Sequence, residues 1–97
     1  MSQSPEYAAA LARIEHAVAQ CAGARALAGE GRDDEAMRLL WDALPVLERE
    51  LGPYHRDVAA ALSDLAAIHH RRGDAAEEAV LLERLQVITH DLVLQPS

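Results

Sequence analysis

Five histidines and one cysteine are the side chains of this 97-residue sequence whose chemistry goes beyond packing and charge. His69 and His70 are adjacent, so on a helix they point about 100° apart and cannot reach one ion. No His-x-x-x-His pair and no second cysteine accompanies them, and His16, His55 and His90 are scattered over other segments. This spacing assigns no metal ligands, and His90 reads as a favourable charge near a helix end. Cys21 is a nucleophile only with a base beside it, which His69 or His70 could supply across a groove; its place on an apolar stripe makes it a small packing residue instead. Gly29-Glu30-Gly31 follows a helical segment where a dinucleotide fingerprint needs a strand, and Asp33 and Asp34 would repel phosphate. Glu77 and Glu78 diverge on a helix and read as solvated surface, not as an acid–base pair. No catalytic residue, metal or cofactor follows from these patterns.

The elements that carry these residues are helical. Alanine supplies twenty residues and leucine fourteen, against four prolines and five glycines, the composition of closely packed helices with short turns. Ninety-seven residues make one domain over 1–97, burying roughly 60–65% of the surface an unfolded chain exposes. The net charge of −7 is spread without a basic cluster, which disfavours nucleic acid. No apolar run reaches the eighteen or so residues needed to cross a bilayer. The opening Met-Ser-Gln-Ser-Pro-Glu-Tyr lacks the charge of a secretion signal, and a lone cysteine requires no oxidising compartment, so a cytoplasmic protein is expected.

Four helical blocks follow from caps, breakers and periodicity. Ser4-Pro5-Glu6 opens the first, with Leu11, Ile14, Val18, Cys21 and Ala22 as its stripe and Gly29 and Gly31 at its end. The second starts at Asp33 or Asp34, carries Met37, Leu40, Leu44, Leu47 and Leu51, and stops at Gly52-Pro53. Pro45 lies inside it and removes a hydrogen bond to the Trp41 carbonyl, which predicts a bend costing roughly 3 kcal/mol if unrelieved. The third runs from Tyr54–Asp57 through Val58, Leu62, Leu65 and Ile68 to Arg72 before Gly73, and the fourth from the Asp74-x-x-Glu77 spacing to about Leu94. Trp41 is expected in the core. Short turns make sequential helices antiparallel, giving one hairpin over about 4–51 and another over about 54–94.

Gly31 and Gly73 are forty-two residues apart, and each ends one helix and precedes an acidic, alanine-bearing start of the next. A helix pair duplicated at this period resembles the tetratricopeptide repeat, in the forty-two-residue form typical of kinesin light chains. The resemblance covers about Ala17 to Ile88. Leu51-Gly52-Pro53-Tyr54-His55-Arg56-Asp57-Val58-Ala59, then Leu65-Ala66 and Gly73, is similar to the family's Leu-Gly-Pro-x-His-Pro-Asp-Val-Ala turn, Leu-Ala pair and inter-helix glycine. Ala24, Gly31, Ala36, Leu40 and Ala43 match packing positions of the first unit, and Ala66, Gly73, Leu82 and Leu85 those of the second. Three departures stand out. Arg56 replaces a proline, Gly23 a leucine, and Glu78 a small residue with Ala79 one place late, which predicts a looser start to the third helix, weak packing at the start of the first hairpin and a one-residue shift in the second.

The resemblance implies an all-α fold of two antiparallel hairpins stacked as a short solenoid, and a non-enzymatic protein–protein interaction module that binds a protein or peptide partner. It places Val18, Cys21, Arg25, Ala60, Ser63, Asp64, Ala67, His70 and Arg71 on the concave face. There Arg25 and Arg71 would grip an acidic peptide, with Ser63, Asp64 and His70 beside them. The family's lysine and asparagine carboxylate clamp is impossible, since the chain has neither residue. The fourth helix carries more apolar residues than one neighbour covers, which predicts self-association as a homodimer, or a partner, across Leu81, Leu85, Ile88 and Leu92. Two other functions fit the same residues: an accessory subunit or chaperone for an enzyme or secreted protein, and a small ligand-binding or enzymatic bundle using Cys21 with His69 and His70.

Overall fold

A computed structural model describes residues 4–94. They form four α-helices, α1 (Pro5–Gly29), α2 (Asp33–Leu51), α3 (Arg56–Arg72) and α4 (Ala75–Leu94), and no strand is present among them. α1 packs on α2 and α3 on α4, while α2 joins the hairpins by packing on α3. The all-α, two-hairpin fold read from the sequence is what the chain adopts.

Local chemistry fixes each boundary. Ser4 caps α1 by accepting the Tyr7 N–H at 3.2 Å, with Pro5 at the first helical position. α2 has no side-chain cap but opens on Asp33, Asp34 and Glu35, which suit the positive helix end. α2 runs unbroken through Pro45, which is exposed. α3 begins at Arg56, where the family has proline, and His55 caps it by accepting the Asp57 N–H on Nδ1 at 3.0 Å.

The two inter-hairpin-arm turns repeat each other bond for bond. Gly31 N–H donates to the Ala28 carbonyl and Arg32 N–H to that of Leu27; forty-two residues on, Gly73 N–H donates to His70 and Asp74 N–H to His69. Both glycines have φ near 80°, which lets the chain reverse at the helix end. This shared register also corrects the expected one-residue shift. Glu78 keeps the inward position and bonds His70 Nδ1 at 3.0 Å, while Ala79 is exposed.

The core is built from Ala17, Cys21 and Ala24 of α1, Ala36, Leu40, Ala43, Leu44 and Leu47 of α2, nearly the whole inner face of α3, and Leu81 and Ile88 of α4. Small residues on α1 set the close approach, so the expected stripe is rotated: Leu11 and Val18 are exposed and Ala17 and Ala24 are buried in their place. Gly23, which replaces a leucine, leaves ordinary space beside Leu39, whose Cδ1 lies 3.7 Å from the site of an added Cβ. Trp41, expected inside, is exposed on α2.

Candidate functional site

The residues that the resemblance assigned to a concave face lie on α1 and α3, around two adjoining clefts. Arg25, Asp64 and Arg71 line one cleft of about 260 Å³ with Ala28, Leu40 and Ile68. Ser63, His70 and Arg71 line an adjoining, more open depression of about 500 Å³ with Ala66 and Glu78. The charges, however, already have partners. Arg25 Nε donates to Asp64 Oδ2 at 2.9 Å, Arg71 to Asp33 Oδ1 at 2.8 Å, and His70 faces Glu78. An arriving carboxylate would compete with a resident one at each arginine.

Cys21 is buried, and the structure gives it no histidine. Burial pushes its thiol pKa up; Arg25 pulls it down, and Asp64 and Asp57 add to the rise. His69 Nδ1 turns to Asp74 at 3.2 Å and His70 to Glu78, so neither imidazole hydrogen-bonds the sulfur. No group of three metal-ligating side chains exists among the described residues. No helix among them is long and apolar enough to cross a membrane.

On α4 the four residues expected to form an open face lie largely inside. Leu81 and Ile88 are only 2% exposed, and Leu85 and Leu92 are half-buried, because this stripe is the seam against α3. The unpartnered apolar residues lie beside it. Leu82 and Val93, with Gln86, Thr89 and His90, line an open groove that reaches the half-buried Leu85. On the other side Val80, Val87 and Leu94 are exposed, Val87 next to Tyr54 and Pro53.

Periodicity within α4 could not rank these strips, but the forty-two-residue offset does. Adding it to Ala36, Leu40, Leu44, Leu47 and Leu51 of α2 gives Glu78, Leu82, Gln86, Thr89 and Val93. In the first hairpin that face is core: Leu40 is 1% exposed and Leu47 fully buried, with α3 lying over them. Among the described residues no helix lies over the equivalent face of the second hairpin, and Leu82 is 45% and Val93 76% exposed. The charges that hold α3 in place also vanish at the offset, since Arg25, Asp33, Asp34 and Glu48 become Ala67, Ala75, Ala76 and His90.

Residues 17–57 match the family model of the tetratricopeptide repeat, a segment that holds the C-terminal half of α1, all of α2 and the turn into α3. Comparison with curated proteins and with solved structures found no significant match. Repeats of this family generally mediate protein–protein interaction and are typically non-enzymatic. With that match, the identical glycine turns and the forty-two-residue offset consistent with the kinesin-light-chain form, residues 17–57 form a tetratricopeptide repeat.

Proposed function

We propose that this chain is an adaptor-type interaction module whose working surface is the open face of α4, and that it self-associates through that face. The observation that carries this reading is the contrast between Leu40, sealed under α3, and Leu82, its equivalent, in contact with water. An open helix face that carries Leu82, Val93 and the edge of Leu85 favours cover by another surface. The concave clefts are the weaker candidate, because Arg25 and Arg71 are neutralised by Asp64 and Asp33 from within the chain.

Size-exclusion chromatography with light scattering tests the proposal on three proteins: the wild type, Leu82→Glu with Val93→Glu, and Arg25→Glu with Arg71→Glu. The expected result is a wild-type mass above that of one chain, falling to one chain in the α4 variant only. A wild type that stays monomeric at the highest soluble concentration, or a loss confined to the arginine variant, overturns the choice of face.

A further inference from the structure

The open groove of α4 differs from the covered face of α2 in its middle. At the forty-two-residue offset Leu44 and Leu47 become Gln86 and Thr89, so the strip reads Leu82, Gln86, Thr89, Val93, apolar at both ends and polar between. Thr89 donates its hydroxyl to the Leu85 carbonyl at 2.9 Å and keeps its oxygen lone pairs for another donor. The side-chain amide of Gln86 has no partner among the described residues. An apolar helix laid here, as α3 lies on α2, would bury that amide unsatisfied. The fitting occupant brings an apolar residue to each end and a polar one to the centre.

α4 itself meets that condition, because its strip has the same character read from either end. About a point between Val87 and Ile88, positions 82 and 93 exchange places, and so do 86 and 89. Two copies of α4 laid antiparallel about that point set Leu82 of each opposite Val93 of the other and bring each Gln86 amide to a Thr89 oxygen. The outer edge of the groove agrees. Glu83 and His90 are exposed there, and neither has a partner among the described residues. The same reversal brings Glu83 of one copy beside His90 of the other, within two residues' rise or about 3 Å along the axis. An imidazole carries an N–H in either protonation state, so each carboxylate finds a donor. On the inner edge the half-buried Leu85 and Leu92 meet with the same offset. Leu82 and Thr89 each follow a seam residue, Leu81 and Ile88, by one position. The strip is therefore turned about 100° from the contact with α3, and a second helix reaches it without displacing α3.

We infer that the α4 groove is occupied by α4 of a second copy of the chain, antiparallel to it about a two-fold axis. The inference rests on the self-association proposed above and names the opposing surface and its direction. Such a contact is isologous, the same strip on both sides, so it closes at two chains.

Cysteine pairing reads the direction. In a Cys21→Ala background, Leu82→Cys and Val93→Cys chains oxidised as a mixture are expected to form a disulfide-linked dimer, and neither chain alone to do so. Like positions stand eleven residues apart along the antiparallel pair, about 16 Å, which is beyond disulfide reach. Light scattering reads the outer edge. His90→Glu sets carboxylate against carboxylate at two places and is expected to raise the dissociation constant of the dimer about tenfold, and adding Glu83→Lys to restore it. Positions 82, 83, 90 and 93 are exposed, so circular dichroism should show these variants folded. If Leu82→Cys links to itself, or the mixture gives no linked dimer although the wild type is dimeric, the antiparallel pairing is wrong, and the proposed face is then judged by the Leu82→Glu with Val93→Glu variant alone. If Glu83→Lys fails to rescue His90→Glu, the register is wrong. A wild-type mass above two chains overturns the closed pair, and a monomeric wild type overturns both readings.

Discussion

Leu40→Ala and Leu82→Ala make the same chemical change at equivalent places in the two hairpins, and the structure assigns them very different costs. Leu40 is 1% exposed in the shared core, so truncation loses its burial and leaves a cavity, together about 2–5 kcal/mol. Leu82 is 45% exposed and opens no closed cavity. About half of the roughly 1.5–3 kcal/mol for full burial is at stake there, or around 1 kcal/mol. A chain of this length has a total stability of roughly 5–15 kcal/mol, so the first change should be plain in the urea midpoint and the second slight. The assay is urea unfolding followed by circular dichroism, run at low and at high protein concentration. Cover of the groove by a second copy links association to folding, so the cost of Leu82→Ala should grow with concentration while that of Leu40→Ala, counted per folded chain at low concentration, stays large throughout. Equal losses at the two positions in dilute protein would refute the reasoning, because they would mean that the second face is as well sealed as the first.

Four further outcomes follow from particular residues. Gly31→Ala and Gly73→Ala should each destabilise the fold by about 1–2 kcal/mol, since both residues hold φ near 80°. Gly23→Ala should stabilise it by about 0.5–1 kcal/mol, because that glycine sits inside α1 with ordinary space for a methyl group; urea titration reads all three. Cys21 should react slowly with iodoacetamide in the native protein and quickly in denaturant, its pKa being raised by burial. Because the folded thiol keeps its proton longer than the unfolded one, stability should fall as the pH rises above the ordinary thiol range, and Cys21→Ser should remove that dependence. Arg84→Ala breaks the 2.7 Å pair with Glu48 across the hairpins and should cost under about 1 kcal/mol at low salt, and less in high salt, by thermal unfolding.

The fold was legible because its signals are local and agree with one another. Ser4-Pro5, Gly52-Pro53 and the two glycines each act within a few residues of their own position, and the helices end where they point. Which face of a helix is inside depends on neighbours, and there the sequence was less direct. Leu11 and Val18 are larger than Ala17 and Ala24 and look like core, yet close packing of α1 on α2 selects the small side chains. On α4 nearly every face is apolar, so periodicity alone could not separate the seam of Leu81 and Ile88 from the open strip of Leu82 and Val93. The internal offset from α2 carried that information. Arg25, Ser63, Asp64, His70 and Arg71 line two adjoining clefts, but the pairing of Arg25 with Asp64, Arg71 with Asp33 and His70 with Glu78 draws on all four helices and has no signature within any one segment.

Arg25 with Asp64, Arg71 with Asp33, Arg72 with Asp34 and Arg84 with Glu48 all run from the first hairpin to the second, whereas the aliphatic packing inside each hairpin needs none of them. Those four exposed pairs sit around a seam in which Leu40, Leu44 and Leu47 pack under α3, so counterions trim the seat of one hairpin on the other while the aliphatic contact holds it. Concentrated electrolyte should therefore weaken the four pairs without parting the hairpins, so salt reaches only the outer layer of the joint between them.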